Sequence, residues 1–300
     1  MKNQYVGDVG DYGKYGLLRY LATHGVRIGV NWYLTENDIT NDGRFTTYLK
    51  KPTERKYDPE IYDALKEIAF LTDKSVQMVE EADLIPGAAY YHEVLGSASD
   101  KPKAREINRI LWFNNSKMML DDAELIFADP DNGLTEKKTA KTKDSEKFVL
   151  PSEIADYYNS GKNVVYYCHK GRRKWEAWEE AKLTMKKYLP DAQILVMTYH
   201  KGTQRSYIFV VHPDDYQKYV KLLSGFERTK WNSVFSREAV GSKTPGQEIV
   251  GEPLEFERKD GSILTLTKKM DGNIHITNSK RPGETCVFTP DLLASLLNIW

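Results

Sequence analysis

The 300-residue sequence predicts an α/β fold: a Rossmann-like sandwich with a mainly parallel sheet and an antiparallel edge hairpin, followed by a small C-terminal β-rich appendage. Between residues 124 and 223, short apolar runs alternate with helical segments, as in repeated βαβ units. After about Trp231, short apolar runs are instead separated by Asp260-Gly261 and Asp271-Gly272, dipeptides that favour hairpin turns. We therefore predict a Rossmann-like domain over residues 1–235 and a β meander with a C-terminal helix over residues 236–300.

The first half of the Rossmann-like domain is less regular than the second. It opens with a glycine at every third position from Gly7 to Gly16, and residues 36–122 are predicted to be a divergent, partly helical insertion. The predicted elements are, in order, a short helix at 17–21, a buried strand at 27–34, a helix beginning at Asp58-Pro59, a strand and a short helix without clear limits within 74–96, and a helix at 103–120.

The second half alternates regularly, and the tail contains short strands. The predicted elements are a buried strand at 124–128, a Lys/Thr-rich loop at 135–147, a helix at 152–158, a strand at 163–168, a helix at 172–189, hairpin strands at 193–198 and 206–211, a helix at 213–223, tail strands at 254–258, 263–267 and 274–277, and a final helix at 292–299.

Composition excludes several classes of protein. Lys and Arg number 43, as do Asp and Glu, so the net charge gives no general argument for nucleic acid, membrane or acidic substrates. Two cysteines, Cys168 and Cys286, cannot build a disulfide framework or a zinc site by themselves. The sequence contains no apolar run long enough for a membrane span and no apolar signal region at its start. We expect a soluble, cytoplasmic protein without a membrane partner.

The strongest candidate site follows the buried strand at 124–128. In open α/β sheets, ligands bind beyond the carboxyl ends of the strands. Asp129-Pro130-Asp131-Asn132-Gly133 occupies that position, and its two carboxylates and amide can bind a metal, position a water molecule or hold the edge of a base. The alternative is an ordinary turn, since these residue types all form turns.

Two further segments carry candidate residues. Asp8, Asp11 and Lys14 lie in the glycine-rich opening, whose spacing matches neither a Walker A loop nor a dinucleotide fingerprint; a packed helix start is the alternative. His169-Lys170-Gly171-Arg172-Arg173 follows a predicted strand and offers a base and three cations. It suits a phosphate clamp, with solvated surface charge as the alternative.

Two of these motifs resemble a known family. The stretch from Gly7 to Tyr15 resembles the G-N-x-A-D-x-x-K-H opening of the adenine-N6 methyltransferases that act on large-subunit ribosomal RNA, with matches at Gly7, Asp11 and Lys14. Asp129-Pro130-Asp131-Asn132 stands in the place of the catalytic D-P-P-Y of that family. The resemblance spans about residues 5–34 and 124–225. It implies a Rossmann-like fold, S-adenosylmethionine as cofactor and a flipped adenine held by the D-P-P-Y loop.

Two departures from that family concern the cofactor and the target base. Residues 31–38, after the first strand, contain no glycine where the cofactor loop is expected, and Asn132 replaces the aromatic residue that stacks on the base. The carboxylates of Asp8, Asp11, Asp42, Asp129 and Asp131 favour activation of water, either as a general base or through Mg²⁺.

Our leading hypothesis is therefore a hydrolytic enzyme that acts on a base or sugar-phosphate of nucleic acid, of the base-excising glycosylase type or the nuclease type. Its nucleic-acid partner is expected to be DNA in preference to RNA. The expected catalytic residues are Asp8, Asp11, Asp129, Asp131 and Asn132. The expected substrate-binding residues, for phosphates or for stacking on bases, are Lys14, Tyr12, Trp32, Arg44, His169, Lys170, Arg172 and Arg173.

Two alternatives stay open at this point. One is an S-adenosylmethionine-dependent adenine-N6 methyltransferase. The other is a non-catalytic module that binds nucleic acid or nucleotides, with the tail as an interaction surface. The nuclease version of the leading hypothesis requires Mg²⁺, whereas S-adenosylmethionine belongs only to the methyltransferase alternative.

Overall fold

A computed structural model describes residues 1–39, 45–96, 101–171, 173–240, 254–257, 260–268, 274–280 and 285–288. The chain divides into two compact units, Met1–Val240 and Gly241–Trp300. Among the described residues, no helix combines the length and the apolar character that crossing a lipid bilayer requires.

The described part of the first unit contains a seven-stranded sheet with strand order β2-β1-β3-β4-β6-β5-β7. The strands are β1 (Ile28–Asn31), β2 (Ala89–Tyr91), β3 (Leu125–Ala128), β4 (Asn163–Cys168), β5 (Gln193–Tyr199), β6 (Arg205–Val211) and β7 (Phe235–Glu238). Strands β2, β1, β3 and β4 are parallel, whereas β6 runs antiparallel to both β4 and β5. The predicted Rossmann-like α/β fold, with its mainly parallel sheet and antiparallel hairpin, is confirmed.

Helices cover both faces of this sheet. They are α1 (Val9–Thr23), α2 (Pro59–Ile68), α3 (Val76–Glu81), α4 (Pro102–Met119), α5 (Pro151–Asn159), α6 (Trp175–Lys182) and α7 (Tyr216–Phe226). Side chains of α1, α2, α3 and α7 pack in one hydrophobic cluster, and those of α4, α5 and α6 pack in another. Successive strand residues alternate between the two: Phe127 belongs to the first cluster and Ile126 to the second. Burial on both faces explains why these strands read as continuous apolar runs.

The glycine-rich opening belongs to α1 itself, so the short helix predicted at 17–21 is longer and begins at Val9. Asp8 caps this helix by accepting a hydrogen bond from the Gly10 amide. A β-carbon on Gly13 would lie 2.7 Å from the Tyr199 ring, and one on Gly16 would lie 2.3 Å from the Trp231 ring. The glycines therefore let α1 approach the aromatic core more closely than any other residue would allow.

Several other elements differ from the predicted ones. The strand and the short helix predicted within 74–96 are present as β2 and α3, and β2 pairs with β1 at the edge of the sheet. Strand β7 was not predicted and pairs with β5 at the opposite edge. The helix predicted at 172–189 is shorter: α6 begins at Trp175 and is followed by a 3₁₀ turn at Thr184–Lys187. The helix predicted at 213–223 begins with a 3₁₀ turn, Pro213–Asp215, ahead of α7.

In the second unit, the described residues form a four-stranded antiparallel sheet with strand order β11-β10-β9-β8. Its strands are β8 (Leu254–Glu257), β9 (Ile263–Lys268), β10 (Ile274–Asn278) and β11 (Thr285–Phe288). The three predicted tail strands are present, and β11 is an additional one. The turn between β8 and β9 contains Gly261 with a φ of 72°. The helix predicted at 292–299 lies outside the described residues.

Candidate functional site

A cavity of about 720 Å³ opens in the first unit, beside the carboxyl ends of the parallel strands. Its walls come from the first turns of α1, the loops that follow β3 and β4, and the start of β6. This volume lies within the range of about 300–1,000 Å³ that is usual for small-molecule sites. The position is the one expected for a ligand site in an open α/β sheet.

Lys14 occupies the inner part of this cavity and contacts two carboxylates. Its Nζ lies 2.8 Å from Asp11 Oδ1 and 2.7 Å from Asp129 Oδ2. All three residues are at most 5% exposed. Asp11 lies one turn before Lys14 on α1, whereas Asp129 comes from the end of β3. Two carboxylates therefore share one buried ammonium group.

Burial sets the protonation of this triad. Removal from water raises the pKa of Asp129 above its ordinary value, although the Lys14 ammonium acts in the opposite direction. The pKa of Asp11 is raised for the same reason. Burial by itself lowers the pKa of Lys14, but the two carboxylates outweigh that effect and leave its pKa raised. Lys14 therefore carries a positive charge and forms ion pairs with two buried carboxyl groups. A carboxyl group with a raised pKa is suited to acid–base chemistry.

Asp8 forms a second ion pair at the cavity wall. Its Oδ1 lies 2.6 Å from Arg205 Nη2 and also accepts the hydrogen bond from Gly10. Its Oδ2 accepts a hydrogen bond from the Phe45 amide at 3.1 Å. Arg205 begins β6 and approaches α1 so closely that a β-carbon on Gly10 would lie 2.2 Å from its Nε. Asp8 thus caps α1 and holds Arg205 against the cavity.

The loop after β3 contributes Asp131 and Asn132. Asp131 Oδ1 lies 2.8 Å from the amino group of Met1, and its Oδ2 lies 3.8 Å from Lys2 Nζ. The Asn132 amide donates to the carbonyl of Lys147 at 2.9 Å, which brings Lys147 to the cavity wall. Asp131 is therefore neutralised within the protein, and Asn132 ties two loops together.

The loop after β4 brings His169 and Lys170 to the opposite part of the lining. Burial lowers the pKa of His169, and the charges of Arg173 and Arg205 lower it further. The buried Nδ1 of His169 and the hydroxyl of Tyr207 have no hydrogen-bond partner within the described structure. Both residues line the cavity, so both offer unused polar groups to a ligand. Lys170 Nζ lies 5.3 Å from the centre of the Trp175 ring.

Two residues expected to stack on bases are core residues instead. Tyr12 and Trp32 are both 0% exposed. The Tyr12 hydroxyl donates to the Glu54 carbonyl and accepts from the Asp58 amide, and Trp32 Nε1 donates to Glu80. A base has no access to either ring, so the expectation is wrong for both.

The remaining expected residues divide into two groups. Asp8, Asp11, Lys14, Asp129, Asp131, Asn132, His169 and Lys170 all line the cavity. Arg173 is exposed and donates to the carbonyl of His169 at 2.5 Å. Arg44 and Arg172 lie outside the described residues, as does Asp42.

Sequence reasoning missed Arg205, Lys147 and Tyr207. Arg205 stands between a polar turn and an apolar run, and Tyr207 lies within that run. Their place in the site follows only from the sheet, in which Tyr207 pairs with β4 and Arg205 with β5. Lys147 lies in a lysine-rich stretch in which nothing distinguishes it.

Neither metal nor S-adenosylmethionine is favoured by the geometry of the described residues. Over the ranges that the structure describes, no group of three or more His, Cys, Asp and Glu side chains is placed to hold a metal ion. The first residues of the chain cover the carboxyl end of β1: the Met1 amino group donates to the Tyr33 carbonyl at 3.0 Å, and the Thr35 amide donates to the Met1 carbonyl at 2.9 Å. Among the described residues 32–39 that follow β1, no glycine is present to form a cradle for the cofactor.

Comparison with known proteins gives little further information. No family model matches the chain, and no curated protein matches it. Among solved structures, the chain is similar to a protein of Legionella pneumophila assigned to the family model DUF519, with 12% sequence identity and a TM-score of 0.41. The alignment covers 79% of this chain and 98% of that protein.

Proposed function

We propose that the cavity binds a flipped nucleotide of a nucleic acid, DNA in preference to RNA, and that the protein hydrolyses a bond of that nucleotide. The observation that carries the proposal is the Lys14–Asp129 pair, a buried acid with a raised pKa inside a cavity of about 720 Å³. Enzymes that act on a single base take it out of the stack and into such a pocket.

Base excision is the form of hydrolysis that these side chains support best. In this reaction the N-glycosidic bond breaks, and the base leaves with the bonding electron pair and takes up a proton. The hydroxyl of a water molecule bonds to C1′ of the sugar, and the remaining proton of that water passes to a general base. Ionised Asp129 is suited to accept this proton and to stabilise positive charge on the sugar. Lys14 positions Asp129 and favours its ionised form.

Asp11 has a supporting role in this scheme. Its carboxylate shares the Lys14 ammonium with Asp129 and accepts a hydrogen bond from the Gly7 amide at 3.0 Å. Because Lys14 is held from the other side by Asp11, it does not neutralise Asp129 completely. The neutral imidazole of His169 is a second group in the cavity that can accept a proton.

A nuclease with two metal ions receives less support. That mechanism needs several carboxylates around a shared metal pair. In the part of the chain that the structure describes, the carboxylates of the cavity are instead paired with cations, and no metal-holding group is present.

The methyltransferase alternative rests on one observation. Asp129-Pro130 follows β3, which pairs directly with β1, and this position at the end of a central strand supports the alternative. Two observations oppose it. Asn132 replaces the aromatic residue that stacks on the base, and Met1 covers the carboxyl end of β1. We derive no step through S-adenosylmethionine for that reason.

The test is to incubate the purified protein with plain DNA, naturally modified DNA and RNA, each with and without Mg²⁺ and S-adenosylmethionine. Products are identified by mass spectrometry. We expect a free base, and we expect Asp129→Asn to reduce its release by about 10²- to 10⁴-fold, as for loss of a general base. Asp63→Asn is the matched control, because Asp63 is a half-exposed carboxylate paired with Arg55 at the surface.

Each other product points to another function. A Mg²⁺-dependent chain break identifies a nuclease, and a mass increase of one methyl group that depends on S-adenosylmethionine identifies a methyltransferase. Binding without any product, unchanged in Asp129→Asn, supports the non-catalytic module and contradicts our proposal.

A further inference from the structure

The charges that line the cavity are not distributed evenly. The inner carboxylates of Asp8, Asp11 and Asp129 lie within 2.8 Å of a cation, either Lys14 or Arg205. Asp131 is paired with the Met1 amino group at 2.8 Å. The inner cations are therefore already engaged. An anionic ligand group placed there would have to displace a carboxylate and would be repelled by it.

Two lysines of the lining differ from these inner cations. Lys147 Nζ lies 3.9 Å from Asp144 Oδ1, at the limit of an ion pair, and both side chains are more than one third exposed. Lys170 contacts the Trp175 ring, and no carboxylate pairs with it among the described residues. The two lysines come from separate loops, after β3 and after β4. Lys2 also lines the cavity but is paired with Asp38 and Asp131. Among the described cations of the lining, Lys147 and Lys170 are thus the ones that remain available to an anion.

Two uncharged side chains of the cavity have a polar atom without a hydrogen-bond partner among the described residues. Tyr207 is 1% exposed, yet it lines the cavity and its hydroxyl has no partner. His169 contributes the equally unpartnered Nδ1. An unpartnered buried hydroxyl is costly unless a ligand or a water molecule binds it. These groups match the hydrogen-bonding edge of a nucleobase, which carries both donors and acceptors.

We propose that the substrate enters base first, as a nucleoside monophosphate unit whose phosphate is bound by Lys147 and Lys170 while its base meets Tyr207 and His169. This inference rests on the proposed function only in taking a nucleotide as the ligand, and it does not depend on which bond is broken. It assigns Lys147 and Lys170 to phosphate binding and excludes Lys14 and Arg205 from that role.

The experiment measures binding rather than turnover. Titration calorimetry compares the four deoxynucleoside 5′-monophosphates, the matching deoxynucleosides and inorganic phosphate, using the full-length protein. The variants are Lys147→Gln, Lys170→Gln and the double substitution. Lys143→Gln is the control, because Lys143 lies on the same loop as Lys147 but does not line the cavity.

For at least one base, we expect the monophosphate to bind about tenfold or more tightly than its nucleoside, and the double variant to abolish that difference while leaving the nucleoside affinity unchanged. Salt should weaken binding of the monophosphate to the wild type by screening the lysine–phosphate attraction, and it should weaken binding to the double variant less. Lys143→Gln should bind like the wild type.

Four results would overturn the inference. They are the absence of binding by all four monophosphates, equal affinity for monophosphate and nucleoside, equal losses for both ligands in the double variant, and inorganic phosphate binding as tightly as the nucleotide. The last would identify a general anion site. Failure of the proposed function looks different: no nucleic-acid product forms, but the lysine-dependent preference for monophosphates persists.

Discussion

The ammonium group of Lys14 lies 2.7 Å from the carboxylate of Asp129, although the two residues are 115 positions apart in the chain. The contact exists because the glycines of α1 let that helix pack closely against the core.

Lys14→Met should destabilise the protein by about 3–5 kcal/mol, because it leaves Asp11 and Asp129 buried without their cation. Urea denaturation measures the loss. The deficit relative to the wild type should shrink as the pH falls, since protonated carboxyls no longer need a counter-charge. Adding Asp129→Asn to Lys14→Met should restore part of the stability. Independent, additive effects of the two substitutions would contradict the shared-cation arrangement.

The rate of product formation should depend on the protonation of Asp129. Its pKa is raised above 3.8 by burial, and only the ionised carboxylate can accept a proton. Activity should therefore increase as Asp129 ionises, with the midpoint of the increase at a pH above 3.8. Initial rates measured across the acid pH range give this midpoint. A midpoint at pH 3.8 or below would indicate that another group is the general base.

His169 should titrate below 6.5, because burial and the nearby arginines disfavour its cation. In the unfolded chain the imidazole protonates near 6.5, whereas in the folded protein it resists protonation. The His169 contribution to stability should thus be complete above pH 6.5 and decrease as the pH falls toward the folded-state value. Chemical shifts of the imidazole and denaturation across this pH range measure both effects. His24→Gln, at an exposed histidine, controls for His169→Gln.

Gly16→Ala should destabilise the protein by about 1–3 kcal/mol, the usual cost of an overpacked core. The new methyl group would lie 2.3 Å from the Trp231 ring, which is packed among other aromatic residues. Gly225→Ala in α7 is the control, because its methyl group would meet only the Tyr20 side chain, chiefly at the hydroxyl end. Thermal denaturation should show a clear loss for Gly16→Ala and little change or a gain for Gly225→Ala.

Trp32→Phe should lower stability without changing nucleotide affinity. The substitution removes the hydrogen bond from Trp32 Nε1 to Glu80, at 2.7 Å, and leaves that carboxylate with one partner fewer, which costs about 1–3 kcal/mol. Calorimetry with the nucleotide that binds best measures the affinity. A large loss of affinity with normal stability would restore the earlier expectation that this ring contacts a base.

Local sequence patterns were sufficient to predict the fold class. The apolar runs of β3, β4, β5 and β6, and the turn at Asp260-Gly261, carry their signal within a few residues, because strand burial and turn geometry depend on neighbouring side chains. The same locality explains the errors at helix limits, the lack of limits for the strand predicted within 74–96, which is β2, and the failure to predict β7. These short edge strands are defined by their pairing partners, and pairing is not visible in one segment alone.

The sequence by itself determined the α/β alternation and the presence of acidic, polar loops after the strands, since both follow from local periodicity and residue type. Only the tertiary structure decided which of these residues form a site. It buried Tyr12 and Trp32, brought Arg205 to Asp8 and Lys147 to Asn132, and placed Lys14 between Asp11 and Asp129. The physical reason is that burial and ion pairing depend on segments far apart in the chain, whose approach is set by the packing of α1 against the core.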